Sequence, residues 1–335
     1  MDRPNAGVAA LTDRHGRVMR DLRVSLTDRC NLRCTYCMPA EGPGWLPRKT
    51  LLDDDEVIRL IAIAVERLGV TSVRFTGGEP LLRPGVVDLV RRTKALGPEI
   101  ALTTNGLGLA RLAQPLADAG LDRVNVSLDS VRAETFQAIT RRDRLDEVVA
   151  GLAAAHDAGL SPVKVNAVLL RGVNDDEAAE LLEWCLARGY QLRFIEQMPL
   201  EAQGDWRRED MVTADETLAR LNAAYRLEPV EIGRGSAPAE TWLVDGGPAT
   251  VGVIASVTRP FCGDCDRIRL TADGQLRNCL FARREHDLRS SLRGGASDDE
   301  IVAQWLASAS AKLAGHGIDD PGFLRPSRPM SAIGG

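Results

Sequence analysis

Three thiols fall within eight residues of this chain, Cys30-Asn31-Leu32-Arg33-Cys34-Thr35-Tyr36-Cys37, spaced CxxxCxxC with an aromatic before the last. They follow a short apolar run, Leu22 to Leu26, so a tight loop after a strand can turn all three sulfurs toward one centre. The number of donors is informative. A closed structural zinc site takes four ligands, whereas an iron–sulfur cube held by three cysteines leaves one iron open for an exogenous ligand. From the spacing alone, zinc with a distant fourth ligand stays the alternative.

A second triad repeats the pattern: Cys262-Gly263-Asp264-Cys265, then Cys279 after thirteen intervening residues. Its alternative is again a zinc ribbon with an unseen fourth ligand. Two half-closed sites in one chain point to one cluster that generates a radical and another that holds something through its free iron. Arg267 and Arg269 alternate just after Cys265, so both face one side of a strand, where paired guanidiniums suit phosphate or a purine edge. The seventh cysteine, Cys185, sits in an apolar helical pattern with Leu181, Leu182 and Leu186 and reads as core.

These residues must be held by something, and from residue 52 to about 200 amphipathic helices alternate with short apolar strands. Apolar residues at Val57, Leu60, Ile61, Ala64 and Leu68 mark a first helix, closed by Gly69. Strands are expected at Ser72 to Phe75, Ile100 to Thr103, Arg123 to Ser127, Val163 to Leu170 and Leu192 to Ile195, with helices between them. Repeated βα units make a parallel sheet, and right-handed crossovers roll it into a barrel whose active face is the C-terminal end of its strands. The Cys loop and Gly77-Gly78-Glu79-Pro80 both lie at such ends. In the latter, glycines admit a ligand close to backbone, and a fixed carboxylate can hold an amino group, although the motif alone could be a turn. Six strands make an incomplete (β/α)6 barrel with a side opening. We expect an N-terminal extension over 1–20, the barrel over 21–225, a smaller C-terminal α+β domain over 226–320 carrying the second triad, and a tail over 321–335 ending in Gly334-Gly335.

The 335 residues suffice for one to two domains, and a formal charge of −5 argues against a nucleic-acid partner. With no visible secretory signal or run of 18 apolar residues, the expectation is a cytoplasmic protein without a membrane partner.

CxxxCxxC with its aromatic resembles the signature of the radical S-adenosylmethionine superfamily. The two triads, Arg267-Ile268-Arg269 and the Gly-Gly end together resemble the GTP 3',8-cyclase family within it, from about Leu22 to Gly335. The resemblance implies two 4Fe-4S clusters, on Cys30, Cys34 and Cys37 and on Cys262, Cys265 and Cys279, about a shared cavity. It assigns Tyr36, Gly78, Ser127 and Met198 to S-adenosylmethionine, and Arg23, Arg74, Thr103, Lys164, Arg193, Arg267 and Arg269 to GTP. The first triad, Arg267, Arg269, Gly334 and Gly335 are then expected to act in the reaction, in which a 5'-deoxyadenosyl radical removes H3' and C3' bonds to C8. Many relatives carry a lysine where this chain has Ser72, so one phosphate contact lacks its lysine. The residues add partial support: Arg74, Lys164 and Arg193 lie in strands, where a charge is costly unless it meets a counterion, whether triphosphate or an Asp or Glu across the sheet. A flavodoxin- or ferredoxin-like reductant and a downstream cyclic pyranopterin monophosphate synthase are implied partners; monomer and homodimer both stay open.

Overall fold

The fold is taken from a computed structural model, which describes residues 9–201, 204, 206–231 and 233–334. Six strands, β1 (Asp21–Ser25), β2 (Ser72–Thr76), β3 (Glu99–Thr104), β4 (Arg123–Ser127), β5 (Val163–Val168) and β6 (Gln191–Ile195), pair in that order, all parallel. Between them run α1 (Asp54–Ala62), α2 (Val86–Lys94), α3 (Leu109–Asp118), α4 (Ala133–Thr140), α5 (Leu145–Asp157) and α6 (Ala178–Leu186). The first helix starts at a capping box, Asp53 with Glu56, and ends in a π-turn over Ile63–Arg67.

Alternation along the strands separates a greasy face from a chemical one. Leu22, Val24, Val73, Phe75, Val124, Val126, Val165 and Phe194 are buried in the apolar core. Their neighbours Arg23, Arg74, Asn125, Ser127, Lys164, Asn166 and Arg193 point the other way, into the barrel interior. The expected incomplete barrel is therefore present.

How its opening is treated differs from a separate covering domain. After α7 (Ala214–Asn222) come β7 (Leu227–Pro229), β8 (Glu240–Val244) and β9 (Thr250–Ile254), and β9 pairs parallel with β6. Then β10 (Arg267–Leu270) pairs parallel with β1, followed by β11 (Gln275–Arg277) and β12 (His286–Asp287). The strand order β12-β11-β10-β1-β2-β3-β4-β5-β6-β9-β8-β7 is one mixed, unclosed sheet, with the C-terminal segment at both edges. Two short helices and one longer one complete the chain: α8 (Leu288–Arg293), α9 (Asp298–Ser310) and α10 (Met330–Ile333). Residues before β1 are packed too, with Leu11 and Met19 fully buried.

Candidate active site

The first cysteine loop is fixed from behind by the turn after β2. Gly78 N–H donates to Thr27 O and Glu79 N–H to Arg29 O, both at 2.7 Å. A Cβ on Gly78 would lie 2.4 Å from the carbonyl oxygens of Asp28 and Arg29, so only glycine permits this approach. Gly78 thus positions the loop; it is not on the cavity wall. The Glu79 carboxylate, expected to be free for an amino group, is instead fully buried and accepts from Leu81 N (2.9 Å), Thr104 Oγ1 (2.7 Å) and Asn105 N (2.7 Å), tying β2 to β3. From the front, Arg141 donates to Arg33 O and Met38 O at 3.0 and 2.9 Å.

Burial and mutual repulsion push the thiol of Cys34 well up, and burial with Cys30 pushes that of Cys37 up to about 12. Asn105 Nδ2 lies 3.5 Å from Cys30 Sγ. Among the described residues no three His, Cys, Asp or Glu side chains converge within reach of a single ion. Yet in each triad the thiols sense one another's charge. Three thiolates in each triad would leave one position of a four-iron cube open, and bound iron would replace the protons that burial otherwise retains.

The second triad is held by two buried cations that sequence reasoning missed. Arg17 donates to Cys262 O at 2.5 Å. Lys312, 4% exposed, donates to Arg267 O (2.7 Å) and Cys265 O (3.1 Å), and its Nζ lies 3.4 Å from Cys265 Sγ. Burial raises the Cys265 thiol, but Lys312 and Arg267 outweigh it and the net shift is downward.

A cavity of about 270 Å³ runs from Cys37 of the first triad to Phe261, Arg267 and Leu280, which are chain neighbours of the second triad's cysteines. Tyr36, Cys37, Ser127 and Met198 line it near the C-terminal strand ends, with Arg23, Arg74, Thr103, Arg193, Arg267 and Arg269 in the same wall. Lys164 lines a neighbouring cavity that shares Arg74, Arg193 and Arg267 with the first. Asp129, which sequence reasoning did not single out, also lines the cavity; it accepts from Tyr36 Oη and Val168 N, both at 2.8 Å, and burial raises its carboxyl to about 6.

Among the described residues Arg74, Lys164 and Arg193 make no ion pair with a carboxylate across the sheet. Arg193 donates to amide oxygens, Asn125 Oδ1 at 2.9 Å and Asn166 Oδ1 at 3.1 Å. Among the described residues no hydrogen bond takes Nε of Arg23, Arg74 or Arg267, and Asp21 alone stands near two of them, 3.6 Å from Arg23 and 3.4 Å from Arg267. Burial and like-charged neighbours pull Arg74 well down, Arg193 down to about 10 and Arg269 down to about 9. The carboxylate pairing weighed for Arg74 and Arg193 is thus not what the fold uses.

The tail enters the site. Ser25 Oγ donates to Ile333 O at 2.8 Å, and Arg269 donates to Gly334 O. Gly334 has φ +88°, and a Cβ there would lie 2.2 Å from Ser25 Oγ. Gly335 lies outside the described residues.

Residues 24–185 match the Radical SAM superfamily model and 190–318 the Molybdenum Cofactor Synthesis C model. A GTP 3',8-cyclase of Streptomyces coelicolor is 62% identical over 98% of this chain and 97% of its own length. A GTP 3',8-cyclase of Mycobacterium sp. (strain KMS) is 63% identical over 100% of this chain and 97% of its own. Among solved structures, Streptococcus suis SuiB superposes with a TM-score of 0.58 at 17% identity, over 82% of this chain and 64% of that one, a likeness of fold.

Proposed function

The chain belongs to the GTP 3',8-cyclase family of the radical S-adenosylmethionine superfamily, and from that premise we propose how its residues carry out the reaction. The enzyme converts GTP to (8S)-3',8-cyclo-7,8-dihydroguanosine 5'-triphosphate, the first step of molybdenum cofactor biosynthesis. Cys30, Cys34 and Cys37 would hold a 4Fe-4S cluster that, with S-adenosylmethionine bound, would supply the radical chemistry that removes hydrogen from C3' of GTP. Cys262, Cys265 and Cys279 would hold a second.

The chain's own residues bind, orient and exclude water. Tyr36, Ser127 and Met198 hold S-adenosylmethionine beside Cys37, and Gly78 sets the loop that presents the thiols. Arg23, Arg74, Lys164 and Arg193 take the phosphates, while Arg267 and Arg269 face the nucleoside. Arg269 also clamps the tail, so that Gly334 closes the cavity against water and stray hydrogen donors. With C3' held toward the adenosyl carbon and C8 toward C3', joining the two is a task of orientation, completed by one electron and one proton. Thr103 accepts from Asn125 Nδ2 at 3.4 Å and flanks the same path.

A flavodoxin- or ferredoxin-like protein is the electron source we assign, and a cyclic pyranopterin monophosphate synthase the consumer. No described helix is long and apolar enough to cross a membrane, which accords with cytoplasmic work.

The observation that carries this reading is a single cavity with Cys37 in one wall and five arginines lacking carboxylate partners enough to balance them in the rest. Anaerobic incubation of iron-reconstituted protein with GTP, S-adenosylmethionine and dithionite tests it, ATP serving as control. 5'-Deoxyadenosine and an isomer of GTP should appear together and vanish in Cys34→Ala. 5'-Deoxyadenosine without a nucleotide product would refute it.

A further inference from the structure

The second cavity lies toward the N-terminal ends of the strands, and Arg74, Arg193 and Arg267 stand in the walls of both. Its own wall adds Arg123, Lys164 and Arg234, against the carboxylates Asp21 and Asp266. Two further acids stand near: Glu99 pairs with Arg123 at 2.5 Å and Glu240 with Arg234 at 3.3 Å. Cations outnumber carboxylates even when all four acids are counted. An excess of that kind in a half-enclosed space calls for an anion.

Two cations of this set, Arg234 and Arg123, have no functional assignment yet, and of the two only Arg123 stands on a barrel strand. It is the first residue of β4, on the inward side, four residues before Ser127. That is about 13 Å along the strand from the end where Ser127 meets the first cavity. Asn125 is level with Lys164, so Arg123 stands one inward position farther from the reacting end. By the same register Arg193 is level with Ser127, whereas Arg74, paired through Ala101, is level with Arg123, so a nucleotide whose ribose sits beside Cys37 reaches Arg193 first and Arg74 and Arg123 last.

Arg123 is also free to respond. Its Nε is held by Glu99, whose side chain is 48% exposed, and no hydrogen bond among the described residues takes Nη1 or Nη2. The Arg123 side chain is 17% exposed, so it is the half-open Glu99 that water can draw away, whereas a guanidinium on a phosphate makes two parallel charge-assisted bonds. Arg234 is more committed, lying over the Phe261 ring at 5.9 Å besides pairing with Glu240. Ser72, in the same wall, offers a hydroxyl but no charge.

We propose that Arg123 binds the terminal phosphate of GTP, exchanging Glu99 for it, and so makes the enzyme sensitive to the length of the phosphate chain. This deepens the cyclase reading and rests on it.

The test is anaerobic calorimetric binding of GTP and GDP to the cluster-reconstituted enzyme, with cyclisation of GTP measured alongside. Arg123→Ala should weaken GTP about ten- to a hundredfold, the loss expected for a hydrogen-bonded charge, and leave GDP within about twofold. Arg123→Lys should restore part of the difference, and Glu99→Gln, which frees Arg123, should bind GTP as well as the wild type or better. Should Arg123→Ala fold poorly, the Lys and Gln variants carry the comparison. Equal weakening of GTP and GDP, or of GTP in Glu99→Gln as in Arg123→Ala, assigns Arg123 to the sheet alone and overturns the inference while cyclisation stands. A wild type that binds neither nucleotide overturns the cyclase reading, and the inference with it.

Discussion

Replacing Gly334 by Ala sets two calculable costs against one calculable gain. The residue sits at φ +88°, where an L side chain costs roughly 1–2 kcal/mol. Its Cβ would stand 2.2 Å from Ser25 Oγ and 2.8 Å from Thr76 Cγ2, and overpacking of that sort costs about 1–3 kcal/mol. The strain is thus about 2–5 kcal/mol. What docks the end of the tail is the Ser25 to Ile333 bond and the charged bond from Arg269 to Gly334 O, together about 2.5–4 kcal/mol. The two sums are nearly equal, so about half or fewer of the variant molecules keep the tail docked. The lesion stays local, because Arg328 still pairs with Asp273 and Glu285 at 2.9 Å. Hydrogen exchange of the C-terminal peptide reads it directly: the amides of Ile333 and Gly334, bonded to Pro329 O and Met330 O, should lose protection as cyclisation falls. Adding Ser25→Ala, which removes the nearer obstacle, should restore part of both. Wild-type protection together with wild-type kcat/KM in Gly334→Ala would refute the reasoning.

Asn125→Ala removes the 2.9 Å partner that aims Arg193; KM for GTP should rise about five- to tenfold with kcat little changed, and an unaltered KM counts against the orienting role. Lys312→Met takes a cation and an N–H donor from Cys265, so the second cluster's potential should fall in a redox titration followed by electron paramagnetic resonance; an unchanged potential would mean that Lys312 only packs. Burial raises the Glu79 carboxyl from 4.5 to about 7. Between those values the unfolded chain has released a proton that the folded one keeps, so stability falls as pH rises through this window, by about 3 kcal/mol in all. Denaturation midpoints of metal-free protein at pH 5 and 8 should show that decline lessened in Glu79→Gln, and parallel behaviour would refute it.

The local elements were legible because each declares itself over a few residues. Strand Arg123–Ser127 and the first helix, Asp54–Ala62 with its π-turn, lie where the alternation and the 3.6-residue spacing put them. The thiols were legible by type and spacing, and Arg267 with Arg269 by their alternation. The attachment of β9 and β10 to the six-stranded sheet was not. β10 is four residues long, two of them arginine, and its partner β1 lies more than two hundred residues earlier, so no local pattern announces the pairing. Likewise the use of the Glu79 carboxylate depends on Thr104 and Asn105 arriving from another strand. Asp129 and Lys312 are single residues without a motif, visible only once burial and neighbours are known.

The pairing of β1 with β10 bears on how the molecule is made. At about 5–20 residues per second, the roughly 240 residues between those strands take on the order of 12–50 s to synthesise. Throughout that time one edge of β1 has no partner of its own, and an unpaired edge is a template for other chains. Nascent and C-terminally truncated forms should therefore be the aggregation-prone species. A premature stop just before β10 should deplete soluble protein far more than one placed after residue 320, where only the tail would be lost.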